Sequence, residues 1–148
     1  MSTITDLKTL YINDFSLWLE TTARLLRERK LEQIDYDNLI EEIESVGRVE
    51  KNALKSNLRI LLMHLLKWKY QSSQRSNSSR YSISEHSLRI LDLFKDSPSL
   101  KGYFDDILSE TYQDARLLVF RETGLSKDMF PTECPFTIQD LLNPEYLP

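Results

Sequence analysis

The sequence predicts an all-α protein: an up-down bundle of four main helices with one long spine helix and an irregular C-terminal strap carrying a short helix. The main observation is the segment Tyr36–Tyr70, which has no proline, one glycine, and an apolar residue at about every third or fourth position. No segment has the alternating apolar and polar pattern of a strand, and there is no internal repeat. At 148 residues, we expect one helical domain over residues 1–148.

A first helix is predicted from about Asn13 to Arg29, because apolar residues recur there at helical spacing. We expect Asn13 to cap it, since an asparagine side chain can accept hydrogen bonds from the free backbone N–H groups at a helix start. The periodic positions are Tyr11, Phe15, Trp18, Leu19, Thr22, Leu25 and Leu26.

The spine helix, Tyr36–Tyr70, would be about 50 Å long at 1.5 Å per residue. Gly47 lies in its middle, where glycine costs about 0.5–1 kcal/mol relative to alanine. Either another helix packs closely against it, which we expect, or the helix bends there. Glu44 and Arg48 have the spacing of a weak ion pair worth about 0.2–0.5 kcal/mol. The predicted buried stripe consists of Leu39, Ile43, Val46, Ala53, Leu54, Leu58, Leu61, Leu62, Leu65 and Trp68.

Residues 71–80 contain no apolar side chain and are predicted to form a solvated loop. In the third helix, Ser82 and Glu85 have the spacing of a capping box. The sequence Ser97-Pro98-Ser99 should end that helix, because proline disfavours a helical conformation in the residue before it. The buried candidates of the third helix are Ile83, Leu88, Leu91 and Phe94.

A fourth helix is predicted from about Leu100 to Glu122, with Gly124 as a left-handed stop. We expect Phe104, Ile107, Leu108, Ala115, Leu118 and Val119 to face inward. The strap that follows should contain a short helix from Ile138 to Leu142, capped by Thr137. Because the strap is rich in large apolar residues, including Met129, it should dock on the bundle rather than extend into solvent.

Composition favours a cytoplasmic protein with no membrane segment and no cofactor. The single cysteine, Cys134, cannot form an intrachain disulfide, and no apolar run approaches the ~20 residues that span a bilayer. The net charge of −4 hides a segregation of charge. Residues 48–95 contain ten Lys and Arg against three Asp and Glu, whereas the rest of the chain has nine against twenty. Such asymmetry suits either an acidic partner or attraction within the fold.

Glu41, Glu42 and Glu44, together with the two histidines, are residue types that form metal sites in helical bundles. Neither His64 nor His86 has a glutamate three residues before it, as the di-iron helical pattern requires. The simpler interpretation is a solvated helix start, where acidic residues complement the helix dipole, so we predict no metal. His64 could act as a general base, although a half-buried imidazole bonded to a neighbouring helix is the simpler interpretation.

A basic face formed by Arg48, Lys51, Lys55 and Arg59 could contact phosphates, which raises nucleic-acid binding as an alternative. The sequence pI of about 5.2 argues against it, because nucleic-acid-binding domains are usually basic. Asp106, Glu110 and Asp114 form an acidic ladder on the fourth helix, and like charges four residues apart repel unless a positive group faces them. The basic face could provide those groups, within one chain or across a dimer.

With its helices placed, the chain resembles a bacterial family, abundant in cyanobacteria, known as domain of unknown function twenty-nine. The resemblance covers nearly the whole chain and implies a small all-helical protein, with no activity attached. Two departures are Ser79 and Phe136, which stand where such sequences often carry tryptophan. The matching stretches are 14–18 (Asp-Phe-Ser-Leu-Trp), 38–47 (Asn-Leu-Ile-Glu-Glu-Ile-Glu-Ser-Val-Gly), 64–68 (His-Leu-Leu-Lys-Trp) followed by Tyr70-Gln71, 96–100, 112–124, Phe130-Pro131 and Cys134-Pro135.

These stretches define the candidate site residues: Asn38, Glu41, Glu42, Glu44, Gly47, His64 and Trp68. The 38–47 and 64–68 stretches lie about 30 Å apart on a straight helix, so each should meet a different neighbour. Our leading hypothesis is a non-enzymatic module that binds a protein partner or associates with itself. Nucleic-acid binding through the surface between Arg48 and Arg89 is the alternative. An enzyme with a carboxylate and His64 in a cleft is a weaker one.

Overall fold

The computed structural model describes residues 4–148, and over that range it contains helices and no strands. The all-α class and the long spine helix are therefore confirmed. The helices are α1 (Ile4–Asn13), α2 (Phe15–Arg27), α3 (Tyr36–Tyr70), α4 (Asn77–Asp96), α5 (Leu100–Thr123) and α6 (Ile138–Leu141), with short 3₁₀ turns at Leu31–Gln33, Ser72–Gln74 and Lys127–Met129.

The chain forms two compact units, Met1–Val49 and Glu50–Pro148, and their boundary falls within α3. The core of the first unit is small and contains Leu7, Trp18, Leu25 and Ile34. Trp18 is fully buried, and the ring of Tyr11 meets it edge-on with the ring centroids 4.9 Å apart. Aromatic packing around one tryptophan thus organises this unit.

The helix predicted from about Asn13 to Arg29 corresponds to α2, but its predicted cap at Asn13 is wrong and the preceding helix α1 is not predicted. Asn13 is the last residue of α1, and Asp14 caps α2 by accepting a hydrogen bond from the backbone N–H of Leu17 at 3.1 Å. The apolar spacing continues across this junction, so the pattern gave no sign of the break.

The second unit contains residues 50–70 of α3, then α4, α5 and the strap around one continuous core. Leu54, Leu58, Leu61, Leu62 and Leu65 are buried, as predicted for this part of α3. The other buried core residues are Leu66, Ile83, Ile90, Phe94, Leu100, Phe104, Ile107, Tyr112, Ala115, Val119, Phe130, Phe136 and Leu141.

Hydrogen bonds fasten the strap to the helices of the second unit. The Tyr112 hydroxyl donates to the Pro131 carbonyl at 2.6 Å, and Ser87 donates to the Leu141 carbonyl at 2.9 Å. The docked strap is therefore confirmed, although Met129 and Ile138 stay 46% and 39% exposed.

The predicted ends of the later helices are confirmed except at the start of α4. Gly124 ends α5 with φ of 73°, and Thr137 caps α6 with a complete capping box. The predicted cap at Ser82 is wrong, because α4 begins six residues earlier. Ser76 caps it, accepting from the backbone N–H of Ser79 at 3.1 Å. Part of the predicted loop is thus helical, since serines serve at a helix start as well as in a loop.

Several predictions of burial are wrong. Ile43 and Val46 are 63% and 65% exposed, and Leu88 and Leu118 are 47% and 39% exposed. At Gly47, an added Cβ would have no neighbouring atom within 4 Å among the described residues, so the predicted close packing is absent. Helical spacing identifies an apolar stripe, but packing decides which part of it is covered.

Candidate functional site

A pocket of about 460 Å³ lies at the C-terminal end of α3, within the second unit. Its walls come from four segments: the last turns of α3, the 3₁₀ turn that follows, the first turn of α4 and the last turn of α5. His64 and Trp68, two of the residues singled out from the sequence, both line it. The lining residues are His64, Lys67, Trp68, Gln71, Gln74, Ser79, Glu122 and Thr123.

The pocket carries one ion pair and one imidazole. Lys67 Nζ lies 3.0 Å from Glu122 Oε1, joining α3 to α5. Burial lowers the pKa of His64 below its usual value of 6.5, and the nearby positive charge of Lys67 lowers it further. The imidazole is therefore uncharged at neutral pH. Its ring centroid lies 6.2 Å from that of His86 on α4.

Trp68 is held in place by a contact from the following turn. The guanidinium of Arg75 lies 5.2 Å from the indole centroid, and its Nε donates to the Trp68 carbonyl at 2.8 Å. Arg75 does not line the pocket, so the indole contributes to it with another part of its surface. Gln71 is half-buried and Gln74 is exposed, and both side chains face the same space.

The glutamates of the 38–47 stretch form no joint site. Asn38 Nδ2 donates to the buried carboxylate of Asp35 at 2.6 Å. Glu42 accepts a hydrogen bond from the Tyr11 hydroxyl, which raises the pKa of Tyr11. The spacing predicts an ion pair between Arg48 and Glu44, but Arg48 instead pairs with Glu41 at 2.8 Å. Asn38 and Glu42 thus fix the local structure of the first unit.

The basic face is largely engaged by groups of the same chain. Lys55 lies 2.7 Å from Glu110, the central residue of the acidic ladder on α5, and this hydrogen bond raises the pKa of Lys55. Lys51 lies over the ring of Tyr103, 5.3 Å from its centroid. Arg59 is half-buried. The matching of basic and acidic stripes expected from the sequence therefore occurs within one chain at Lys55.

Sequence reasoning missed the far wall of the pocket. Glu122 and Thr123 lie more than fifty residues beyond His64, and nothing in their local sequence distinguishes them from an ordinary helix end. Gln71 and Gln74 both fall in the predicted solvated loop, and Gln71 also belongs to the resemblance. The weaker hypothesis places His64 and a carboxylate in a cleft, and His64 and Glu122 both line this pocket.

Two further observations bear on the class of protein. Over residues 4–148, no three His, Cys, Asp or Glu side chains are grouped closely enough to hold a metal ion. In the same range, no helix has the length and apolar character needed to cross a membrane.

The fold and the pocket define an all-helical protein with a polar cavity between helix ends. A family model described as Domain of unknown function DUF29 matches residues 10–147, and the chain belongs to that family. The resemblance found from the sequence is therefore confirmed. No curated protein and no solved structure matches the chain.

Proposed function

We propose that this protein is a non-enzymatic module that acts through protein–protein contact, and that its partner is a second copy of the same chain. The observation that carries the proposal is the exposed apolar surface on the first part of α3. Ile40, Ile43, Val46 and Val49 are 52%, 63%, 65% and 63% exposed. We refer to these four side chains as the α3 front face.

The α3 front face has the properties of an interaction surface. Its side chains recur every three residues, so neighbours along the series lie side by side in a row that winds about 60° around the helix at each step. Contiguous apolar surface of this kind is uncommon on a monomer and usually marks a site of contact. Gly47 lies within the same stretch, and no neighbouring atom of the described residues comes within 4 Å of its Cβ position, which leaves room for another helix to approach the backbone.

The charge pattern favours a second copy in antiparallel orientation. Glu41 and Glu44 precede Val46, and Arg48 follows it. Two copies packed in opposite directions would bring Glu44 of one helix near Arg48 of the other, whose partner within its own chain is Glu41. A two-fold axis near Val46 would give both copies the same contacts. Two-fold symmetry is the commonest symmetry of homodimers.

The basic surface supports a protein partner over a nucleic acid. Arg48, Lys55, Lys67 and Arg89 each have a carboxylate within 3.3 Å in the same chain. Binding to a phosphate backbone would compete with these ion pairs, so fewer cations remain to contribute. Retention of the protein on a nucleic-acid column at low salt, combined with a monomeric state, would favour the alternative instead.

Sedimentation velocity over a micromolar range of protein concentration tests the self-association. We expect a dimer for the wild type and a monomer for Val46→Glu, because a charge at the centre of the α3 front face would be desolvated in the dimer. Leu88→Glu, at an exposed leucine of α4, is the matched control and should remain dimeric. A monomeric wild type, or a dimeric Val46→Glu protein, would refute the proposal.

Disulfide crosslinking in a Cys134→Ser background tests the orientation. In an antiparallel pair centred on Val46, Val46→Cys meets its copy near the axis and should crosslink under mild oxidation. Ile40→Cys lies six residues away, so the two copies would be about 18 Å apart along the helix, beyond disulfide reach. Crosslinking at both positions would indicate parallel helices. Crosslinking at neither position would exclude this face as the interface.

A further inference from the structure

We propose that the pocket at the C-terminal end of α3 binds an uncharged, polyhydroxylated small molecule of the saccharide class. Its volume of about 460 Å³ lies within the range of roughly 300–1,000 Å³ that is usual for small-molecule sites. The pocket lies in the second unit and the α3 front face in the first, so the two proposals are independent.

The charge balance of the lining residues selects an uncharged ligand. Lys67 and Glu122 neutralise each other at 3.0 Å, with Lys67 the more buried of the two. An anionic ligand would face the carboxylate and a cationic ligand the ammonium, so either would weaken an existing ion pair. His64 adds no charge at neutral pH, since its pKa is lowered.

The hydrogen-bonding groups suit hydroxyls. Gln71 and Gln74 each present donors and an acceptor, and the neutral imidazole of His64 presents one of each. All three side chains line the pocket, where they can meet a ligand. A hydroxyl both donates and accepts, so a ligand with several hydroxyls can satisfy this mixed set.

The apolar wall suits the carbon skeleton of a sugar ring. The indole of Trp68 supplies a flat apolar surface next to polar groups, a combination that fixes an amphipathic ring in one orientation. Arg75 stacks on the indole from outside the pocket and restrains its position. A site whose aromatic wall is held in advance loses less entropy on binding.

Nuclear magnetic resonance of the ¹⁵N-labelled full chain tests the proposal with D-glucose, D-galactose, sucrose and myo-inositol as probes. At least one should shift the indole N–H signal of Trp68 saturably and leave that of Trp18 unchanged, because Trp18 is fully buried in the first unit. The proposal is overturned if none of the four shifts the Trp68 signal. It is also overturned if inorganic phosphate shifts that signal and no probe does, which would indicate an anion site.

Substitutions distinguish this pocket from binding elsewhere. Ser79→Trp should fill the pocket and abolish the shifts, whereas Ser78→Trp, at the exposed neighbouring position outside the lining, should bind like the wild type. Gln71→Ala should weaken binding about tenfold through the loss of hydrogen bonds to the ligand. Unchanged binding by Ser79→Trp would refute the assignment of the ligand to this pocket.

Discussion

Replacement of Tyr112 by phenylalanine tests how the strap is held to α5. Tyr112 is fully buried, and its hydroxyl donates to the Pro131 carbonyl at 2.6 Å. Phenylalanine keeps the aromatic ring and leaves almost no cavity, so the main interaction that is lost is the hydrogen bond. Such a bond contributes about 0.5–1.5 kcal/mol net, and an unsatisfied carbonyl costs more where water cannot reach it.

We expect Tyr112→Phe to lower the free energy of unfolding by about 1–2 kcal/mol, because Pro131 is only half-buried and water can reach part of the carbonyl. Urea unfolding followed by circular dichroism measures this change. Tyr81→Phe is the matched control: its hydroxyl donates to Glu85 at 2.7 Å on the exposed surface. The control should change stability by less than about 0.5 kcal/mol. Equal effects of the two substitutions would refute the reasoning.

The same side chain predicts a dependence on alkaline pH. Burial raises the pKa of Tyr112 from 10.0 to about 12. The unfolded chain therefore loses this proton at lower pH than the folded chain, and the stabilisation is lost as pH rises from about 10 to about 12. Tyr112→Phe should lose less stability across that interval than the wild type. Parallel losses would contradict the assignment.

Three further substitutions and one titration follow from the second unit. Leu62→Ala, at a fully buried position, should cost about 2–5 kcal/mol in urea unfolding, whereas a value near zero would contradict its place in the core. Gly124→Ala should destabilise by about 1–2 kcal/mol because φ is 73°. Gly102→Ala, inside α5 with no neighbouring atom of the described residues within 4 Å of its Cβ position, should stabilise by about 0.5–1 kcal/mol. In a titration followed by nuclear magnetic resonance, His64 should titrate below 6.5, and stability should fall as pH decreases below that value; a higher midpoint would contradict its burial.

The helices whose ends are marked by strong local sequence signals were predictable. Tyr36–Tyr70 has no proline, and Gly124 and Thr137 mark an end and a start that local chemistry alone dictates. The break at Asp14 was not predictable in the same way, because the apolar period runs through it. Asp14 could act as a cap only once α1 ended there, and that depends on how the chain packs.

Along α3, burial was predictable only in the part that belongs to the second unit. Leu54 and Leu58 belong to the same kind of periodic pattern as Ile43 and Val46, yet the first pair is buried and the second exposed. Periodicity reports that a face is apolar and carries no information about what lies opposite. The hydrogen bond from Tyr11 to Glu42 likewise needed the structure, since thirty-one residues separate the partners.

The sequence by itself determined the all-α class, the spine helix, the helix ends with strong caps and the family resemblance, because these depend on local spacing and local chemistry. Only the tertiary structure decided which apolar side chains remain exposed and which polar groups meet. The pocket illustrates the reason: His64 and Trp68 could be singled out on one helix, but Glu122 reaches them only through the packing of α5 against α3.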